Sequence, residues 1–161
     1  MYNAWWEEMM NIVLVEPEIP QNAGNIARTC ACIGAQLHMV EPFGFRMTDK
    51  YFARSGCDYW DKVELKRWPS LENFMEATKG EDMWFFTGRV TKSFRTAEFK
   101  ENSWLVFGRE TAGLPPSLIE AHEDRCVRIP MRKNLRSLNL ANSVAIGAYE
   151  ALRQIGDVNL S

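Results

Sequence analysis

Two short runs, Met83-Trp84-Phe85-Phe86-Thr87 and Trp104-Leu105-Val106-Phe107, place the tightest constraint on how this chain can fold. Both are apolar with no alternation of polar and apolar residues. Each must therefore be covered on both faces, as the central strands of a parallel sheet are. Parallel neighbours need a crossover between them, usually a helix. The rest of the sequence supplies that alternation. Asn11-Ile12-Val13-Leu14-Val15, Leu37-His38-Met39-Val40 and Cys126-Val127-Arg128-Ile129 read as further strands, with a weaker one over 63–65.

Helical segments lie between these strands. The turn Pro20-Gln21-Asn22-Ala23-Gly24-Asn25 leads into a helix running to residue 33, with Asn22 or Asn25 as its cap and Gly34 at its end. Thr48-Asp49 opens a short helix over 48–54, stopped at Gly56. Pro69-Ser70 starts another that runs to about 78. Pro115-Pro116 leads into 117–121, and the last helix covers about 139–155 before Gly156. The expected class is α/β, a mostly parallel sheet flanked by helices.

At 161 residues and 46% hydrophobic, residues 10–161 fit one domain with a sizeable core. Residues 1–9, with adjacent Trp5 and Trp6, look foreign to the rest of the chain and read as an N-terminal extension or remnant. The net charge of −2 gives no global attraction to nucleic acid, so an anionic partner must be held by a local basic patch. No apolar run approaches the roughly 20 residues of a membrane span, and no signal peptide is visible. Cys30, Cys32, Cys57 and Cys126 fit neither zinc spacing nor a disulfide framework, so reduced thiols and a cytoplasmic location are expected. No metal is expected either, because His38 and His122 are the only histidines; His38 falls within an apolar strand and is expected to pack there.

In open α/β sheets, ligands bind outside the carboxyl ends of the strands. That rule selects the loops holding Asn22 and Arg28, Thr87-Gly88-Arg89, Gly108-Arg109-Glu110-Thr111-Ala112-Gly113, and the stretch after Ile129. In the last of these, Ser137, Asn139 and Asn142 crowd the start of the final helix. One N-cap accounts for one such side chain, not three. Arg132, Lys133 and Arg136 make the expected phosphate-binding patch. Gly108 and Gly113 flank Glu110, where backbone can approach a ligand closely. Glu16, Glu18 and Glu41, beside prolines at strand ends, read as exposed caps rather than a catalytic pair. Neither G-x-G-x-x-G nor G-x-x-x-x-G-K-[ST] is present, and there is no G-x-S-x-G elbow.

Taken together, P-x-N-x-G-N-x-x-R (Pro20 to Arg28), L-V-F-G-x-E-x-x-G-L-P (Leu105 to Pro115) and I-P-M…S-L-N-L-A-N-S-V-A (Ile129 to Ala145) resemble the three motifs of the SPOUT RNA methyltransferases. Within that family, E-P-E-I-P (Glu16 to Pro20) and G-C-D-Y-W (Gly56 to Trp60) look most like the small tRNA (cytidine/uridine) 2′-O-methyltransferases of the wobble position. The resemblance spans about residues 10–156. It implies a deep C-terminal trefoil knot, which pattern reasoning would not propose because connections rarely thread. It also implies a homodimer, tRNA as partner, and S-adenosylmethionine held largely by backbone.

Carried over by motif, cofactor contacts fall at Phe86 or Thr87, Gly108, Ile129, Ser137 and Leu138. Arg28 matches an arginine implicated in catalysis, and Asn22, Glu110, Ser137 and Asn139 match its polar surroundings. The strongly basic RNA-binding extension of larger relatives is missing. Small residues on the last helix (Ala141, Ala145, Gly147, Ala148 and Ala151) are a generic hint of close helix contact in a dimer. Two other classes stand beside this one: an RNA-binding module without turnover, and a metabolic enzyme using a nucleotide cofactor, which the missing glycine fingerprint disfavours.

Overall fold

The structure, a computed structural model, describes residues 10–48, 50–55, 57–157 and 160–161. The expected extension at 1–9, the helix-opening Asp49 and the stop at Gly56 lie outside the described residues.

Among the described residues, six strands form one sheet: β1 (Asn11–Val15), β2 (Gln36–Val40), β3 (Leu65–Trp68), β4 (Met83–Phe86), β5 (Trp104–Phe107) and β6 (Cys126–Val127). Their spatial order is β3-β2-β1-β5-β4-β6, and every pairing is parallel. The two most apolar runs are thus interior strands, as their lack of alternation required. The helices are α1 (Pro20–Ile33), α2 (Lys50–Ser55), α3 (Leu71–Ala77), α4 (Pro116–Ala121) and α5 (Leu140–Ile155).

Side chains of alternate parity along each strand feed two cores, as the period of two dictates. Ile12, Leu14, Leu37, Met39, Phe86 and Phe107 pack on one face under α1 and α5. Val13, Val15, Val40, Phe85 and Val106 pack on the other under α3 and α4. Both faces are covered, giving a three-layer α/β domain.

His38, on β2, packs in this interior as expected, at 1% exposure. Trp68 Nε1–H donates to its Nδ1 at 3.1 Å. An indole nitrogen is a donor only, so Nδ1 must accept and Nε2 must carry the proton. That proton goes to Asn11 Oδ1 at 2.9 Å.

Several boundaries differ from those expected. Neither Asn22 nor Asn25 caps α1: Ile19 is the N-cap, with no side-chain cap bond, and Pro20 occupies the first turn, where its missing N–H costs nothing. Asn22 lies buried inside the helix. The edge strand covers Leu65–Trp68 rather than 63–65. It pairs Leu37 with Leu65 and Val40 with Trp68, while Val63 is buried in the turn before it. Lys66 and Arg67 point to solvent there, as charges on a protected sheet edge do. β6 stops at Val127, because Arg128 continues as an isolated bridge to Ser93.

The small residues of α5 are mostly used within the chain. Gly147, Ala148 and Ala151 are buried. A Cβ at position 147 would lie 3.0 Å from the Phe86 ring, so glycine there lets α5 settle onto β4 and β5. The exposed large side chains of α5 are instead Ile146 and Tyr149.

Candidate active site

The loops after β4, β5 and β6 meet the N-terminus of α1 and the start of α5 around a cleft of about 390 Å³. It lies at the carboxyl ends of the strands, where the open-sheet rule puts it. Phe86 and Phe107, both buried, stack at 4.5 Å between centroids and contribute apolar lining.

The loop after β5 is drawn tight. Arg109 and Gly113 exchange backbone hydrogen bonds at 3.2 and 3.0 Å. A Cβ on Gly108 would stand 2.1 Å from the Gly113 carbonyl carbon and 2.2 Å from the Leu114 nitrogen. Only glycine fits at 108, and Gly113 itself has φ +69°.

Glu110, at the tip of this loop, organises the polar wall. Its carboxylate accepts the backbone N–H of Glu18 at 2.8 Å and of Ile19 at 3.0 Å, and Asn22 Nδ2–H at 3.3 Å. It thus brings negative charge to the helix end that favours it, and satisfies donors that α1 cannot satisfy itself. Glu18 answers in return, accepting from the Thr111 N–H and hydroxyl at 3.0 and 2.8 Å. Glu16 pairs with Arg109. These two glutamates are therefore structural ties between loops, not the exposed caps expected.

An ionised carboxylate only accepts. Asn22 must therefore turn Nδ2 towards Glu110 and Oδ1 away from it. That oxygen accepts from Asn139 Nδ2 at 3.0 Å. Asn139 is left with Oδ1 free to cap α5, accepting from the Asn142 N–H at 3.2 Å. One charge at Glu110 thus orients two carboxamides in series and ties α1 to α5. Of the three polar side chains crowding this helix start, Asn139 is the cap and also part of the wall.

Phe86, Thr87, Gly108, Ile129, Ser137 and Leu138, the expected cofactor contacts, all line the cleft. So do Asn22, Glu110 and Asn139. Arg136 lines it, whereas Arg132 and Lys133 lie exposed outside its lining. Arg28 is also outside that lining: it is exposed on α1, its Cζ 5.0 Å from the centroid of the Tyr59 ring. It lies six positions beyond Asn22, about 9 Å along the helix axis. Met131, Ser143 and Ile19 also line the cleft. Sequence reasoning gives them no role of their own, and their signal is membership of the quoted motifs. Among the described residues, no group of His, Cys, Asp and Glu could hold a metal ion, and no helix is long and apolar enough to cross a membrane.

The model of the SpoU rRNA Methylase family matches residues 9–149. The chain belongs to the SpoU methylase family. It is 45% identical over 150 residues to the tRNA (cytidine(34)-2′-O)-methyltransferase of Aeromonas hydrophila, covering 92% of this chain and 96% of that protein. A solved structure described as "Structural insights into the 2-OH methylation of C/U34 on tRNA" superposes with a TM-score of 0.86 at 42% identity, covering 92% of this chain and 97% of the other. The SpoU methyltransferase AviRb from Streptomyces viridochromogenes, in complex with AdoMet, superposes with a TM-score of 0.82 at 25% identity, covering 96% of this chain and 60% of that one. The fold of this chain is thus that of a SpoU methylase.

Proposed function

We propose that this protein transfers a methyl group from S-adenosylmethionine to the ribose 2′-OH of nucleotide 34 in tRNA. The observation that carries the reading is the closed polar wall running from Glu110 through Asn22 to Asn139 beside a cleft built from three post-strand loops. Near-full-length likeness to a tRNA (cytidine(34)-2′-O)-methyltransferase supports the substrate.

The cleft suits the cofactor. Its volume is within the usual range for small-molecule sites. Gly108 clears space beside backbone, and Phe86 and Phe107 offer apolar surface. Backbone and side chains at Thr87, Gly108, Ile129, Ser137 and Leu138 would hold it. When bound there, S-adenosylmethionine supplies an electrophilic methyl on sulfur.

What the protein must add is orientation, worth about 7–11 kcal/mol in well-aligned systems. Asn22, Ser137 and Asn139 place polar groups where the ribose enters. Glu110 is occupied by three donors, which suits it to fixing the wall rather than taking a proton. Arg28, outside the cleft lining, grips the phosphate beside the target ribose through its planar donor fork. Arg132, Lys133 and Arg136 hold more distant phosphates.

The finer fold and assembly belong to the same proposal. β6 lies at the sheet edge beyond β4, while α5 packs back against α1 and β5. A C-terminal trefoil knot, with residues 128–139 threading past the loop after β5, would accommodate that return. Ile146 and Tyr149, 40% and 56% exposed on α5, are suited to a homodimer surface. A tRNA substrate supports a cytoplasmic location.

Incubation with labelled S-adenosylmethionine and bulk tRNA, followed by mapping of the label, tests the reading. Label on the 2′-oxygen of nucleotide 34 is expected. Label elsewhere in tRNA or in ribosomal RNA would reassign the substrate, and tight RNA binding without transfer would favour a non-catalytic module.

A further inference from the structure

We propose that Tyr59 is the positioning residue for Arg28, holding its guanidinium at the RNA surface without neutralising it. The inference rests on the reading that Arg28 grips substrate phosphate.

Arg28 is exposed, and among the described residues no hydrogen bond or ion pair joins its guanidinium to another group. Its partner is the Tyr59 ring, 5.0 Å from Cζ to centroid. Lys62 Nζ sits 5.4 Å from the same centroid. Two cations therefore share one ring, and no carboxylate among the described residues pairs with either. Asp58 and Asp61 are neighbours in sequence and exposed, but neither forms a salt bridge with these cations.

The turn that carries the ring is tied into the fold. Tyr59 ends a 3-10 turn, Cys57–Tyr59, that packs against α1. Its carbonyl accepts from the N–H groups of Lys62 and Val63 at 3.0 and 3.1 Å, and Val63 is buried. Next to it, Trp60 packs on Phe52 at 4.4 Å between centroids and donates Nε1–H to the Phe52 carbonyl at 3.1 Å. The turn is thereby fastened to α2 and the core.

The choice of partner has a chemical consequence. A carboxylate would occupy the N–H fork of Arg28 and cancel its charge. An aromatic face attracts the cation through its quadrupole and leaves the donors free. Arg28 is held in place yet keeps its hydrogen-bonding capacity for a phosphodiester, with Lys62 as a second cation at the same anion. Without the ring, a side chain of that length would lose rotamer freedom on each binding event.

The test uses the full-length protein, a tRNA substrate and S-adenosylmethionine, with transfer rate, tRNA affinity and cofactor affinity measured for Tyr59→Phe, Tyr59→Leu, Arg28→Ala and the double variant Tyr59→Leu/Arg28→Ala. Tyr59→Phe keeps the ring and is expected to stay within about twofold of the native protein. Tyr59→Leu is expected to lose about two- to fivefold in rate and tRNA affinity, the fold-change that an exposed cation–ring contact supports. Its cofactor affinity should be unchanged, and it should add nothing to Arg28→Ala. Equal damage from Phe and Leu, a harmless Leu, or a Leu effect undiminished in the Arg28→Ala background would overturn the proposal. If Arg28→Ala leaves rate and affinity intact, the reading of Arg28 itself fails and takes this one with it. If Tyr59→Leu does not fold, the Nε–H resonance of Arg28 in the native protein decides. A ring-current shift that changes on adding tRNA is expected, and an unshifted resonance overturns the proposal.

Discussion

Asn139 Nδ2 donates to Asn22 Oδ1 at 3.0 Å, joining the start of the last helix to the first helix across 117 positions of sequence. The same Asn139 caps its own helix through Oδ1. Its two ends therefore do separable jobs, and substitutions can divide them. Asn139→Ala loses both, costing about 1 kcal/mol for the cap alone and leaving the oxygen of buried Asn22 without its donor. Asn139→Asp keeps an acceptor for the cap but offers Asn22 only oxygen. Asn22 cannot satisfy it by flipping without losing Glu110. The expected result is a lowered melting temperature in both variants, since each leaves Asn22 Oδ1 without its donor, with Asn139→Ala losing the cap as well and methyl transfer impaired in both. Thermal unfolding and single-turnover methylation check this.

Glu110 sets the polarity of that chain of carboxamides, so its charge and its acceptor-only character both matter. Glu110→Gln puts an NH2 opposite two backbone N–H groups and the Asn22 amide, and at least one donor faces another. Each orphaned donor costs about 1–3 kcal/mol. Urea unfolding is expected to show a loss in that range for Glu110→Gln and a larger loss for Glu110→Ala. Cofactor affinity falls alongside, because the 108–113 loop is held to α1 through this residue.

Gly108 and Gly88 both line the cleft, but space around them differs. A methyl at 108 would meet backbone at 2.1 Å, whereas one at 88 has nothing within 4 Å. Gly108→Ala must push the loop after β5 open, and a loss of at least about tenfold in cofactor affinity is expected, given that every 1.4 kcal/mol is tenfold. Gly88→Ala should fold and bind normally. Calorimetric titration with S-adenosylmethionine distinguishes them, and equal effects would show that the tight turn at 108 does not shape the pocket.

The sheet is legible in the sequence because its strands carry their burial in consecutive residues: Trp84-Phe85-Phe86 and Leu105-Val106-Phe107 admit no exposed face. The loops that line the cleft are legible for a topological reason, since they follow parallel strands. The use made of Asn22 is not. Locally it reads as a helix cap, and the partners that claim it, Glu110 and Asn139, are 88 and 117 positions away. Glu16 and Glu18 mislead in the same way, reading as caps, because Arg109 and Thr111 come to them only through the fold. The edge strand is displaced from its expected place because Val63 and Leu65 alternate like a strand while Val63 is buried in the preceding turn. On α5 small size is visible but direction is not: Gly147 faces Phe86 inside the same chain.

His38 gives the fold a pH dependence. Burial, with some contribution from nearby Lys66, pushes its pKa down from 6.5 to about 3. Its neutral tautomer is also fixed by Trp68 and Asn11. The unfolded chain binds a proton near pH 6.5 that the folded chain refuses until about pH 3, so stability is full above 6.5 and falls with acid across that window. The slope from this one group reaches about 1.4 kcal/mol per pH unit. His38→Gln is expected to be less stable at pH 7 but flatter between pH 6.5 and pH 4, as measured by denaturant midpoints. A native-like acid slope in that variant would assign the acid sensitivity to other groups.

The net charge of −2 means that affinity for tRNA must come from a local concentration of cations. Arg132, Lys133 and Arg136 are all exposed on the loop between β6 and α5, but only Arg136 also lines the cleft. The three should therefore separate. Replacing Arg132 and Lys133 with Ala is expected to weaken tRNA binding at low salt and to flatten log K against log salt by about 0.7–0.9 for each phosphate that is no longer neutralised. Their cofactor affinity should be untouched, because neither side chain faces that site. Arg136→Ala should flatten the slope by a similar step and weaken cofactor binding as well. Filter-binding titrations at several salt concentrations, paired with cofactor calorimetry, resolve the two patterns. A salt slope unchanged in the Arg132/Lys133 double variant would move the phosphate patch elsewhere, towards Arg28 and Lys62 on the Tyr59 ring.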